Sequence, residues 1–173
     1  MPSKRVNPRL KSFIRAFNSH DHTIISTLPD PYRSDGGGSN YLVRHRLLSN
    51  VDDFRLGTIT QADLDAKTEY KWGETGRPVA KRQSEYRRCT AMYELKWIAA
   101  YTTPARKLSE GLVHAEFGVD GHQAPIVLCS CGKRHTEWFT LKSTHGDTAA
   151  ALEYVFARWM ALRGDPNWVK QDL

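Results

Sequence analysis

Residues Glu69–Cys89 read EYKWGETGRPVAKRQSEYRRC, and the fold turns on how this stretch is divided. "YKWG" reads as a short strand, and "ETGRP" as the turn that ends it. Pro78 suits the first turn of a helix, where its missing N–H would have no partner in any case. "VAKRQSEYRRC" continues that helix. Six cationic side chains crowd the stretch. A helix start offers backbone N–H groups and the positive end of a dipole to an anion. Gly73 and Gly76 permit close backbone approach, and Arg77, Lys81 and Arg82 are placed to meet phosphate, arginine with two parallel bonds. The competing reading is a solvated basic helix beside a β-turn, because charge runs usually face water.

Outward from this stretch, "NYLVRHRLL" on the N-terminal side alternates imperfectly and reads as a strand. The polar run "SNVDDFRLGTITQADLDAKTE" between the two reads mainly as a long insertion, with one short strand at Phe54–Thr60. On the C-terminal side "YELKWIAAYTT" is aromatic, β-rich and bounded by Pro104, and so a strand. "PARKLSEGLVHAEF" is a second helix with Thr103 as N-cap. Its apolar stripe uses Leu108, Leu112 or Gly111, and Ala115. "APIVLCSC" and "HTEWFTLKS" form a two-stranded piece around the turn "CGKR". "DTAAALEYVFARWMALRG" is an amphipathic helix capped by Asp147 and ended by Gly164. The order predicts an α+β domain: a central three-stranded, mainly antiparallel sheet flanked by helices, with an extra C-terminal hairpin and helix. Residues 39–173 form this domain. Residues 1–38 read as an arm and linker, helical where Leu10, Phe13, Ile14 and Phe17 recur and then punctuated by Pro and Gly.

Two side-chain groupings carry chemistry. Glu110 and His114 stand at i and i+4 on one helix face, while Glu116 lies on another side. Glu with His is a pair for a hard metal or for acid–base work; the plain alternative is an exposed Glu–His pair. Cys129, Cys131 and His135 surround a glycine turn and are ligands of the kind zinc takes, although C-x-C is an unusual spacing. Cys89 is the fourth candidate, with His114 or His122 as substitutes; the plain alternative is two buried cysteines and a surface histidine. No Gly-rich P-loop, G-x-S-x-G elbow or H-E-x-x-H helix is present.

The whole sequence has 173 residues, a formal charge of +6 and a pI near 9.3. That length suits one core, and the basic excess fits an anionic partner such as nucleic acid. No apolar run is long enough to span a bilayer, so no membrane partner is expected. "MPSKRVNPRLKSFIRAF" lacks the apolar core of a secretory signal. Its arginines and lack of acids suit a mitochondrial presequence, while Pro2 and Pro8 argue against one. Three cysteines make no disulfide framework, and an intracellular, reducing compartment is expected.

Taken together, "YKWGETGRPVAKRQSEY", "LSEGLVHAEF" and "HTEWF" resemble the bacteriophage T5 open-reading-frame 172-type DNA-binding domain, especially the version found in fungal proteins, within the GIY-YIG endonuclease superfamily. The residues that carry the resemblance are Lys71-Trp72-Gly73-Glu74-Thr75, Arg82, Glu110 with His114 and Phe117, and Glu137-Trp138-Phe139. It covers about Tyr41 to Trp159. The resemblance implies DNA as partner, with Gly73, Thr75, Arg77, Lys81 and Tyr86 along the interface, and metal-dependent hydrolysis of phosphodiesters. Arg82 would meet the phosphate, Glu110 would hold Mg²⁺ or Mn²⁺, and His114 would assist. A strand tyrosine would help to activate water. Lys71 stands where the second-motif tyrosine is expected, and the first motif falls on Tyr41 or Val43. The closing asparagine of many such nucleases has no counterpart. A zinc-stabilised binding module using Cys89, Cys129, Cys131 and His135 is the alternative, and a fungal origin would allow the nucleus.

Overall fold

A computed structural model describes residues 37–119, 121–122, 124, 127–135, 137–141, 147–162 and 167–173. The expected N-terminal arm, the end of its linker apart, and the helix stop at Gly164 lie outside the described residues.

Strand β1 (Gly38–Leu47) is the centre of the sheet. It pairs antiparallel with β2 (Glu69–Thr75) on one side and β3 (Tyr93–Thr103) on the other. Two short strands extend this trio, giving the order β6-β2-β1-β3-β7. The α+β expectation holds, but the sheet has five strands instead of three. Strand β6 (Trp138–Phe139) leaves the expected hairpin to pair with Tyr70 and Lys71 at the outer edge of β2. Strand β7 (Val169–Asp172) pairs with β3. The hairpin itself is β4 (Val127–Leu128) against β5 (Arg134–His135), a separate small sheet.

The stretch between β1 and β2 is not an insertion with a strand at Phe54–Thr60. It is two helices, α1 (Leu48–Arg55) and α2 (Gln61–Ala66). Leu48, Val51 and Phe54 fall three apart, a helical period. Gly57 then turns the chain with φ +74, and Thr60 starts α2 through reciprocal bonds with Asp63, a complete capping box. Helix α3 (Val79–Glu85) starts with Pro78 as its N-cap and runs on as a 3₁₀ segment, Tyr86–Ala91.

Successive strand residues face opposite sides, so the sheet has two cores. Leu42, Trp72, Tyr101 and Phe139 meet helices α4 (Arg106–Val119) and α5 (Thr148–Leu162). In α5 the residues Leu152, Val155, Phe156, Trp159 and Met160 recur at helical spacing and are all buried. Burial of each such side chain stabilises the fold by roughly 1.5–3 kcal/mol. Asp147 caps α5, its Oδ1 accepting the Ala149 N–H at 2.8 Å. On the other face Tyr93, Trp138 and Cys129 pack with Tyr86 and Cys89 of the 3₁₀ segment.

Candidate functional site: two ligand clusters on one basic cleft

Tyr41 is fully buried on β1, directly opposite Gly73 of β2. A Cβ on residue 73 would overlap the Tyr41 ring, so glycine there lets the ring lie flat against the strand. Gly73 therefore serves an internal contact, and Thr75 is likewise buried, its Oγ1 accepting the Arg77 N–H at 3.1 Å. Gly76 makes room for the Arg106 guanidinium. In the strand register Tyr41 faces the motif glycine, and Val43 faces Lys71.

Arg82 of α3 donates from Nε to the Tyr41 hydroxyl at 3.1 Å and from Nη1 to Glu85 at 2.6 Å. Its guanidinium lies 5.3 Å from the centre of the Tyr86 ring. The Tyr41 and Tyr86 hydroxyls are 3.3 Å apart. Burial raises the Tyr41 pKa well above the ordinary phenol value, and pushes Tyr86 up to about 12. Both therefore stay phenols near neutral pH. Arg77 is drawn to Glu85 at 2.7 Å, and Lys81 is exposed.

The ladder between β2 and β6 ends after Lys71↔Trp138, so the edge of β2 beyond Lys71 is not covered by β6. Helix α4 supplies Glu110 and His114 there. His114 Nε2 donates to the Trp72 carbonyl at 2.5 Å, which leaves Nδ1 as the nitrogen with a lone pair. Glu137, one residue before β6, forms a close ion pair with the buried Lys71 ammonium. One ligand atom from each of Glu110, His114 and Glu137 falls within 4.8 Å of the others. Burial, then the nearby Glu137 and Glu74 carboxylates, push the Glu110 pKa up to about 8. Burial keeps His114 below its usual value, and so a neutral imidazole. A carboxyl held protonated by burial and by neighbouring carboxylates, beside a neutral imidazole, fits a divalent cation, which would favour the ionised form.

The second cluster joins Cys89 of the 3₁₀ segment to Cys129, Cys131 and His135 of the β4–β5 hairpin. His135 Nε2 is 3.6 Å from Cys89 Sγ and 3.3 Å from Cys131 Sγ. Tetrahedral zinc, with bonds of about 2.3 Å to sulfur and 2.0–2.1 Å to nitrogen, sets such ligands about 3.6 Å apart. Gly132, at φ +79, makes the turn that returns the chain from Cys131 to His135. Burial and the neighbouring thiols push Cys89 up to about 12, a crowding that a bound cation would relieve. All four ligands named from the sequence thus come together. His122 and His114 are not in this cluster.

A cavity of about 680 Å³ runs along the Cys/His cluster and reaches the other grouping at Glu137. Lys71, Arg82 and Glu137 border it, as do Cys89, Cys131 and His135. Glu137 was visible in the sequence only as part of a motif. Its place beside Glu110 depends on β6 pairing with β2, which spacing does not reveal.

The T5orf172 domain family model matches residues 56–160, well over half of the chain. Lys71, Arg82, Glu110, His114, Glu137 and the Cys/His cluster fall inside the match, while β1 with Tyr41 precedes it. No curated protein and no solved structure matches the chain. Among the described residues, no helix is long and apolar enough to cross a membrane.

Proposed function

The chain belongs to the T5orf172 domain family, and from that premise we propose that it binds DNA and hydrolyses phosphodiester bonds with a divalent metal, as GIY-YIG nucleases do. Family membership indicates a nucleic-acid partner at the level of class. The observation that carries the catalytic reading is the Arg82–Tyr41 hydrogen bond, formed beside the grouping of Glu110, His114 and Glu137.

Each side chain has a task in this reading. Glu110 and Glu137 would hold Mg²⁺ or Mn²⁺, with His114 as the third donor. Such a cation, when bound, supplies Lewis acidity and a more acidic water. Arg82 has Nε on Tyr41 and Nη1 on Glu85. Its Nη2, which has no hydrogen bond to a described residue, is the edge for a phosphate oxygen, where fixed positive charge stabilises the developing negative charge. Tyr41 keeps its proton and so orients Arg82. Lys71 takes the place of the second-motif tyrosine and orients Glu137 through their ion pair. Cys89, Cys129, Cys131 and His135 would hold a structural Zn²⁺, with no ligand position left for water.

One observation favours a second reading, a zinc-stabilised DNA-binding module without catalysis. Lys71 already neutralises Glu137, one of the three prospective ligands. Nicking of supercoiled DNA in Mg²⁺ or Mn²⁺ separates the two. Metal-dependent nicking that drops by about 10²–10³-fold or more in Arg82→Ala and Glu110→Gln is the expected result. Wild-type nicking in a clean Glu110→Gln preparation would overturn the catalytic reading. DNA retarded but never cut would establish the second.

A further inference from the structure

The cleft holds more positive charge than the phosphate at Arg82 requires. Its border includes Lys71, Arg82, Arg87, Arg88, Lys133 and Arg134, against only two carboxylates, Glu85 and Glu137. Both carboxylates are already paired, Glu85 with Arg77 and Arg82, and Glu137 with Lys71. Arg87 and Arg88 on the 3₁₀ segment and Lys133 and Arg134 on the hairpin are exposed, and none of the four forms an ion pair with a described residue. Away from the cleft, Arg44, Arg46, Arg106 and Arg158 each face a carboxylate, and so does Lys170. Four exposed cations without an ion pair among the described residues thus face each other across the two walls of one cleft, whereas Lys67, Lys81 and Lys96, also exposed and without such a pair, lie outside its border.

Those walls are joined to each other. Cys89 stands next to Arg88, and Cys131 and His135 flank Lys133 and Arg134. The three ligands lie in one cluster with Cys129. Ser130 Oγ also donates to the Arg88 carbonyl at 2.9 Å. The distance between the two cation pairs is therefore set by the ligand cluster and by this bond.

We infer that this cleft is the track for the phosphate backbone of the DNA strand that passes Arg82. Arg87 and Arg88 on one wall, and Lys133 and Arg134 on the other, contact phosphates neighbouring the one at Arg82. The inference rests on the DNA-binding reading above and extends it to residues outside the family motifs. Long, exposed cationic side chains suit backbone phosphates, which position a duplex without reading its sequence. The Cys/His cluster gains a purpose from this: it holds the far wall of the track at a fixed spacing.

Fluorescence anisotropy with a short labelled duplex, titrated at several salt concentrations, tests the inference on the full chain. Neutralising n phosphates gives a slope of log affinity against log salt near −0.9n. Arg87→Gln/Arg88→Gln and Lys133→Gln/Arg134→Gln should each flatten that slope by about 2 and weaken binding for all sequences alike. Arg55→Gln, an exposed cation on α1 outside the cleft, should leave it unchanged. Zinc content and melting temperature equal to wild type would show that the doubly substituted chains remain folded. A wild type that binds, with unchanged slope and affinity in both double variants, would overturn the track and leave the Arg82 site standing. A wild type that does not bind DNA at all would overturn both.

Discussion

The Cys89–Cys129–Cys131–His135 cluster borders a cleft that the Glu110–His114–Glu137 cluster reaches through Glu137, yet the two are built by opposite means. The first draws four soft or borderline donors from two short, irregular segments, the 3₁₀ turn and a hairpin of two-residue strands. Such segments have little hydrogen bonding of their own, and a four-ligand ion would be their main cross-link. The second draws hard donors from a 14-residue helix and the edge of a five-stranded sheet, elements that stand without it. It has three donors, so water or substrate can complete the coordination. The difference teaches that a metal at one end would serve the fold and at the other would serve the chemistry, although histidine occurs in both.

That contrast breaks most readily at the soft end. Cys131→Ser should remove about 4 kcal/mol or more of stability, measured by denaturant unfolding, because loss of a structural metal lies at the severe end of single substitutions. Glu110→Gln should cost no stability, since it replaces a buried carboxyl that gains nothing from ionising. Equal losses in the two variants would erase the distinction.

A smaller effect sharpens the link between sheet and site. Gly73→Ala should cost about 1–3 kcal/mol by overpacking against Tyr41. It should also lower nicking more than DNA affinity, because Tyr41 holds Arg82 Nε. A variant as stable and active as wild type would show that Tyr41 does not orient Arg82.

The hard end should also answer to pH. Glu110, raised to about 8 by burial and neighbouring carboxylates, must lose its proton before it binds a cation. Mn²⁺ affinity should therefore rise between pH 6 and 8 by up to about tenfold per unit and level off above, with proton release on binding. Glu110→Gln should abolish that rise.

Glu69 gives the mildest case. Burial alone raises it to about 7, with no ligand cluster around it. Its folded pKa exceeds its unfolded value near 4.5, so its contribution to stability is full below about pH 4.5 and fades as pH rises to about 7. The melting temperature of wild type relative to Glu69→Gln should fall across that window, and metal affinity should not differ between them.

Much of the candidate site was legible because its residues lie on regular elements. Glu110 and His114 share a helix face by spacing, and the strand–turn–helix around Gly73 places Arg82. The four candidate Cys/His ligands are legible by type, although Cys89 is far from the others in sequence. The pairing of Tyr41 with Gly73 is not legible, because α1 and α2, which read as a polar insertion, separate the two strands. Their polar surface masked a three-residue period at Leu48, Val51 and Phe54. β7 escapes notice because "VKQD" is short, mostly polar and exposed, and only the edge of β3 makes it a strand. Glu137 and Lys71 meet through β6, a pairing of two residues that no local pattern announces.

The most direct test of the division between the two clusters is a Mn²⁺ titration followed by electron paramagnetic resonance, on protein whose zinc content has been measured. One tightly held zinc should survive dialysis, and one Mn²⁺ should bind without displacing it. Glu110→Gln should lose the Mn²⁺ and keep the zinc. Mn²⁺ bound equally well by Glu110→Gln, or protein purified without zinc and indifferent to chelator, would contradict the account.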